Sequence, residues 1–228
     1  MKLKELESHL QEIETFTDPK LYLEQYITTP HLASQIAFNI DKIYDDIHSK
    51  NLCEFGIGTG MLTIACSFFE PSYSLGVDID TDALAICQKN LDYFELENPV
   101  DLIQADVKQL LLKKENYEKF SNLFDTCVMN PPFGTKNQRI ETEEKQLGID
   151  IQFLKIASEF CSNSVYSLHK SVTREYIKIK AKQWNMKMEV VSELKYNIPK
   201  VDSRNKKLIK DAKEKDIAVD FLRLTHII

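Results

Sequence analysis

From residue 51 onward, short apolar runs alternate with segments of helical period. The first run leads directly into a glycine-rich turn, Glu54-Phe55-Gly56-Ile57-Gly58-Thr59-Gly60. This pairing constrains the fold more than any other feature of the chain. Strands that alternate with helices pair in parallel through right-handed crossovers. Ligands of such sheets bind beyond the carboxyl ends of the strands. Predicted strands cover 51–55, 74–77, 100–104, 124–129 and 164–168. Two more, 188–194 and 218–226, follow in succession and read as an antiparallel hairpin at one edge. Predicted helices cover 61–69, 82–94, 151–161 and 173–184. Ahead of the alternation, Leu3, Leu6, Leu10 and Ile13 form one stripe of an amphipathic helix over 2–14. Residues 22–30 read as extended, and Pro30 suits the first turn of a helix reaching about residue 48. The expectation is an α/β protein. It has a Rossmann-like, seven-stranded, mostly parallel sheet with a C-terminal antiparallel hairpin and an added N-terminal helix.

A chain of 228 residues favours one such domain over two: a core over 31–228, preceded by a helix and a further segment over 1–30. No apolar run approaches the ~20 residues that span a bilayer, and the charged opening MKLKELESHLQEIE has no apolar core of a secretory signal. The expected setting is intracellular, with nucleus, nucleolus and cytoplasm all open, and no membrane partner. Cys53, Cys66, Cys87, Cys127 and Cys161 form no C-x-x-C pair and sit among apolar residues. They read as reduced, buried thiols, and no metal site is expected.

The net charge of -6 argues weakly against a nucleic-acid ligand, but its distribution argues the other way. Residues 169–215 hold 14 Lys and Arg against 6 Asp and Glu. A basic stretch on an acidic chain suits an anionic partner, although solvated helix surface would look the same. Two charged loops stand out, 113–122 and 136–148, and 199–216 reads as a basic hairpin loop. The 136–148 loop directly follows a candidate catalytic turn, where it would be either a gate or a disordered insertion.

Four motifs follow in order. The spacing G-x-G-x-G lets a ligand approach the backbone of Gly56 and Gly58 with no Cβ in the way. It differs from the G-x-G-x-x-G of dinucleotide binding, though nicotinamide remains an alternative at this point. Asp78, ending the second strand, suits the hydroxyls of a ribose, with Asp80 or Thr81 capping the next helix. Asp106-Val107, after the third strand, offers a carboxylate for an adenine amino group and a backbone N–H for a ring nitrogen. A plain surface Asp would look the same. The fourth motif, Asn130-Pro131-Pro132-Phe133, ends a buried strand. Its prolines fix φ and hold their predecessors extended. The Asn130 side-chain oxygen and the Pro131 carbonyl then stand as two acceptors on a rigid edge, matching the two hydrogens of a planar amino group. Phe133 offers a face for a flipped base. A bare NPPF is also an ordinary tight turn. Its place three strands after G-x-G-x-G favours catalysis by alignment.

Together the motifs resemble the class I methyltransferase fold, and NPPF resembles its amino-methylating branch. LYLEQYITTPHLA, VDID, NPPFGTKN, VYSLHKSVTRE and a closing basic hairpin further resemble the methyltransferase-like protein 5 family along nearly the whole chain. The resemblance implies S-adenosylmethionine as cofactor and adenine N6 of small-subunit (18S) ribosomal RNA as target. It also implies a heterodimer with a small zinc-binding activator subunit. It places Gln25 and Thr28 over the cofactor and Gly56, Thr59 and Met61 at its methionine end, with Glu54 and Gly58 also binding the cofactor. Asp78 falls at the ribose, Asp106 and Val107 at the adenine, and Asn130 to Phe133 at the target base. Lys170, Arg174, Lys200, Arg204, Lys206 and Lys207 are expected to meet RNA phosphates. By analogy the activator covers apolar surface around Leu75 and Leu102. The chain departs from the family at Glu54, where Asp is usual, and at Ile57 and Thr59, where cysteines are usual. Three other functions compete: protein glutamine methylation, guanine N2 methylation, and a non-catalytic partner that retains the fold.

Overall fold

A computed structural model describes residues 1–134, 140–142, 145–198 and 215–227. Its sheet is built from β1 (Asn51–Phe55), β2 (Tyr73–Asp78), β3 (Val100–Gln104), β4 (Phe124–Met129), β7 (Cys161–Lys170), β8 (Met186–Ile198) and β9 (Lys215–His226). A separate pair, β5 (Ile140–Thr142) and β6 (Lys145–Leu147), is antiparallel. The seven strands lie in the order β3-β2-β1-β4-β7-β9-β8. Neighbours from β3 to β7 pair in parallel, and β9 runs antiparallel to both β7 and β8. The α/β architecture with its C-terminal antiparallel hairpin is therefore as the alternation predicts.

Period-two alternation sorts the strand residues into two cores. Leu52, Val128, Tyr166, Leu168 and Phe221 face one side. There they meet α1 (Leu3–Leu10), α2 (Pro30–Lys42), α3 (Met61–Ser67) and α4 (Thr81–Phe94). Cys53, Phe55, Cys127, Met129, Val165, Leu222 and Leu224 face the other. Their cover comes from α5 (Val107–Leu112), α6 (Ile149–Phe160) and α7 (Arg174–Gln183). Each large side chain buried here contributes roughly 1.5–3 kcal/mol.

Several boundaries differ from the expectation for identifiable reasons. The first helix ends at Leu10, although Ile13 still packs into the core. Asn90 holds the following segment by accepting from Glu14 N and donating to Glu14 O. Residues 21–23 form a 3-10 turn rather than extended chain, and Glu24 follows with φ of 55°. Thr29 caps α2 through Leu32 N, with Pro30 in the first turn. That helix stops at Lys42, not near residue 48, because Asp45 turns left-handed at φ 54° and Asp46 enters a buried polar cluster. The 113–122 loop holds two 3-10 turns, Lys114–Asn116 and Glu118–Phe120, and Phe120 stacks on Phe160 at 5.4 Å. Within 136–148, the described backbone forms the β5–β6 hairpin, where the sequence suggested a gate or a disordered insertion. No helix among the described residues is long and apolar enough to cross a membrane.

Candidate active site

The carboxyl ends of β1, β2, β3 and β4 converge on a cleft. Its floor is the glycine turn. Gly56 N and Ile57 N both donate to Val77 O, at 2.7 and 3.1 Å, folding the chain back after β1. This needs φ of 74° at Gly56 and 56° at Gly58, a region glycine enters without strain. A Cβ at Gly58 would stand 3.1 Å from the Phe16 ring, and one at Gly56 would stand 3.1 Å from the Phe153 ring. Both rings line the cleft, so the turn leaves a narrow slot between aromatic walls.

Asp78 lines the cleft from the end of β2. Its Oδ2 accepts from Gly58 N at 2.8 Å and its Oδ1 from Asp80 N at 2.9 Å. Burial raises this carboxyl above its ordinary range, against the opposing pull of those backbone donors. Asp80 caps α4 through Asp82 N, one of the two assignments the sequence allowed. Burial alone would raise Asp80, but Lys20 and Gln25 outweigh it and hold the carboxyl low. Gln25 lines the cleft while its Nε2 donates to Asp80 at 2.6 Å and its Oε1 accepts from Lys20 N at 2.7 Å. The segment over the cleft is thus tied to the second strand. Asp106 and Val107 also line the cleft, and Asp106 caps α5 through Lys108 N at 2.9 Å.

Three of the candidate residues lie beneath this surface. Glu54 is 3% exposed and accepts from Thr63 N and Thr63 Oγ1. Burial pushes its carboxyl up to about 8. Thr59 and Met61 are each 5% exposed, and Thr59 O accepts from Asn90 Nδ2 at 2.8 Å. All three support the turn from below.

Asn130 and Pro132 line the far wall of the cleft. Asn130 Nδ2 donates to Thr28 Oγ1 at 3.0 Å and to Tyr196 Oη at 3.1 Å. Both amide hydrogens are therefore engaged, and among the described residues the amide oxygen is its open end. Pro131 is buried. Phe133 is only 6% exposed and meets Tyr196 edge-on at 5.7 Å, so its ring is packed inward in this conformation. Lys170 Nζ donates to Phe133 O at 3.0 Å and braces the turn. Arg174 is paired with Asp220 and Glu193. The charge of Arg174 is thus already met within the chain, unlike the open phosphate contact expected of it, whereas Lys170 gives one N–H to a neutral carbonyl and keeps its charge. Lys200, Arg204, Lys206 and Lys207 lie outside the described residues.

Sequence reasoning missed Phe16, Glu24, Ile79, Phe153 and Tyr196. The β8 strand was legible, but nothing local ties Tyr196 to a turn 66 residues earlier. Leu75, placed by analogy at a partner surface, is 4% exposed and belongs to the core; strand pleat turns it inward. Cys53, Cys127 and Cys161 bring three buried sulfurs within 4.8 Å of one another on β1, β4 and β7. Burial pushes these thiols far up, which keeps them neutral.

Residues 33–156 match the methyltransferase small domain, and the sheet order with its cleft defines a Rossmann-like methyltransferase. The chain is 43% identical over 225 residues to a zebrafish (Danio rerio) protein named rRNA N(6)-adenosine-methyltransferase METTL5, covering 99% of each chain. It is 40% identical to a Drosophila melanogaster protein of the same name, covering 98% of this chain and 96% of that one. The chain belongs to the METTL5 family. A crystal structure from Pyrococcus horikoshii, described as a candidate RNA methyltransferase, superposes with a TM-score of 0.77 at 26% identity. It covers 100% of this chain and 98% of that one.

Proposed function

We propose that the protein transfers the methyl group of S-adenosylmethionine to N6 of an adenine in small-subunit (18S) ribosomal RNA. The observation that carries the reading is Asn130: its amide hydrogens are engaged by Thr28 and Tyr196, so its oxygen is left to accept. The relatives named as rRNA adenosine methyltransferases support the substrate class.

The residues present fit the cofactor. The Gly56–Gly58 slot takes a flat or extended ligand against backbone, Asp78 meets ribose hydroxyls, and Asp106 with Val107 meets the adenine. Gln25 and Thr28 close the cleft from the N-terminal segment, while Glu54, Thr59 and Met61 fix the turn from below. When bound, the cofactor supplies an electrophilic methyl group. The chain contributes placement. Asn130 Oδ1 and Pro131 O accept the two hydrogens of the target amino group, which turns the nitrogen lone pair out of conjugation and toward the methyl. No strong base is required, because the proton becomes acidic only after the nitrogen is alkylated. Alignment and oriented dipoles supply the rate.

RNA phosphates are met by Lys170, Lys200, Arg204, Lys206 and Lys207, with Arg174 contributing only if it leaves its acidic partners. A small zinc-binding activator pairs with the chain in a heterodimer. Among the described residues the outer edge of β3 has no neighbouring strand, and Ile103 on that strand is 42% exposed. That surface replaces Leu75 as the proposed contact.

The test is Asn130→Ala with cofactor affinity followed by calorimetry. Turnover should fall by more than about a hundredfold, the scale of losing an aligning contact, while cofactor affinity stays within about twofold. Loss of cofactor binding would overturn the role given to Asn130.

A further inference from the structure

The amide group of an asparagine is nearly symmetric in shape, yet the proposed chemistry works in only one orientation. With the oxygen toward the target, Asn130 accepts from the amino group. With the amide reversed, it would present N–H to a donor, and the target would be repelled. Something must therefore define which end faces the cleft.

The contacts around Asn130 supply that definition. Tyr196 Oη lies 3.0 Å from Ile27 O and 3.1 Å from Asn130 Nδ2. A backbone carbonyl can only accept. The tyrosine proton is therefore committed to Ile27 O, and Tyr196 Oη must act toward Asn130 as an acceptor. An acceptor there requires an N–H from Asn130, not its oxygen. Burial raises the Tyr196 phenol above its ordinary range, which keeps that proton in place at neutral pH. Thr28 Oγ1 takes the second amide hydrogen at 3.0 Å. Reversal would point Asn130 Oδ1 at Tyr196 Oη with no hydrogen between them, two part-buried oxygens facing each other.

We propose that Tyr196 is a positioning residue for methyl transfer: it relays the polarity of the Ile27 carbonyl to the Asn130 amide, so that the amide oxygen faces the target amino group. Tyr196 stands on β8 of the C-terminal hairpin, and Ile27 and Thr28 stand on the segment that closes the cleft. The acceptor is thus correctly oriented only when both elements are seated on the NPPF turn. The edge-on packing of the Tyr196 ring against Phe133 holds the phenol at the required place. The proposal rests on the amino-group role of Asn130 given above, and the two can fail separately.

The experiment compares Tyr196→Phe, Tyr196→Leu and Asn130→Ala in the full chain, with its activator present if required for activity. It measures kcat and KM for RNA, cofactor affinity by calorimetry, and melting temperature. Tyr196→Phe keeps the ring and its packing but removes the relay. Its kcat should fall about tenfold, the scale of one lost hydrogen bond. KM and cofactor affinity should stay within about twofold, with the melting temperature close to that of the unaltered protein. Tyr196→Leu should lose at least as much kcat. Wild-type kcat in Tyr196→Phe, with Asn130→Ala inactive, overturns the relay and leaves the role of Asn130 standing. A drop in Tyr196→Phe that appears only as weaker cofactor binding or a lower melting temperature also overturns it, because that is a packing defect. Activity retained by Asn130→Ala overturns the reading beneath both.

Discussion

At the scale of single residues, the chain places a carboxylic acid where an ion is unwelcome. Glu54 is buried under the glycine turn, and its carboxyl is pushed from 4.5 up to about 8. Burial is the main cause; the Thr63 donors oppose it, and the neighbouring Asp78 charge adds to it. The folded state therefore holds a proton that the unfolded chain releases. The resulting stability is fully present below about pH 4.5 and is lost as pH rises through about 8. Replacing Glu54 with Gln keeps an acceptor for Thr63 and removes the titration. Glu54→Gln should melt close to the unaltered protein at acid pH and above it at alkaline pH. The difference should be several degrees, at roughly 2–4 °C per kcal/mol for a chain of this size. Parallel melting curves across the whole pH range would contradict this account. Gly56, Gly58, Asp78 and Asn130 were legible in the sequence because each has one short-range reason to be where it is. Tyr196 was not, because its reason is a contact with residues 27 and 130.

At the scale of elements, what the sequence conveyed was period, and what it hid was where polar side chains end a helix. Pro30 and the Leu6–Leu10 stripe made α2 and α1 readable. The end of α2 was hidden, because it depends on Asp46 reaching β7 and β9. Asp46 accepts from Asn163 Nδ2 at 2.7 Å, Ser164 Oγ at 2.8 Å, Tyr166 Oη at 2.6 Å and Arg223 Nη2 at 3.1 Å. The Arg223 guanidinium also lies 4.4 Å over the Tyr44 ring. This cluster pins the chain after α2 to the strands that carry the C-terminal hairpin. Removing Asp46 leaves the largely buried Arg223 guanidinium with only the part-exposed Glu189 as its carboxylate partner. Asp46→Ala should cost about 3 kcal/mol, less than a fully buried pair because Arg223 keeps 20% exposure. The melting temperature should fall by roughly ten degrees, with cofactor affinity per folded molecule unchanged. An unaffected melting temperature would show that the cluster contributes specificity of packing rather than stability. Arg174 shows the same limit of sequence reading from the other side. Its charge suggested RNA, and Asp220, 46 residues away, takes it.

At the scale of the whole molecule, charge is divided. The stretch 169–215 is basic while the chain as a whole carries -6. The sheet order explains how one chain serves two ligands. Carboxyl ends of β1 to β4 build the cleft, and the described part of the β8–β9 hairpin sits beyond β7 beside the NPPF turn. Replacing Lys206 and Lys207 with Ala should flatten the slope of log RNA affinity against log salt by about 1.5, the release expected for two phosphate contacts. An unchanged slope would remove those residues from the RNA surface.

Nucleoside mass spectrometry decides whether the NPPF turn presents an adenine amino group of ribosomal RNA for methylation. The protein, with and without a candidate activator subunit, is incubated with ribosomal RNA and isotopically labelled S-adenosylmethionine, beside the Asn130→Ala variant. Labelled N6-methyladenosine is expected from the unaltered protein and none from the variant. Label in N2-methylguanosine, or label only in protein glutamine, would contradict it.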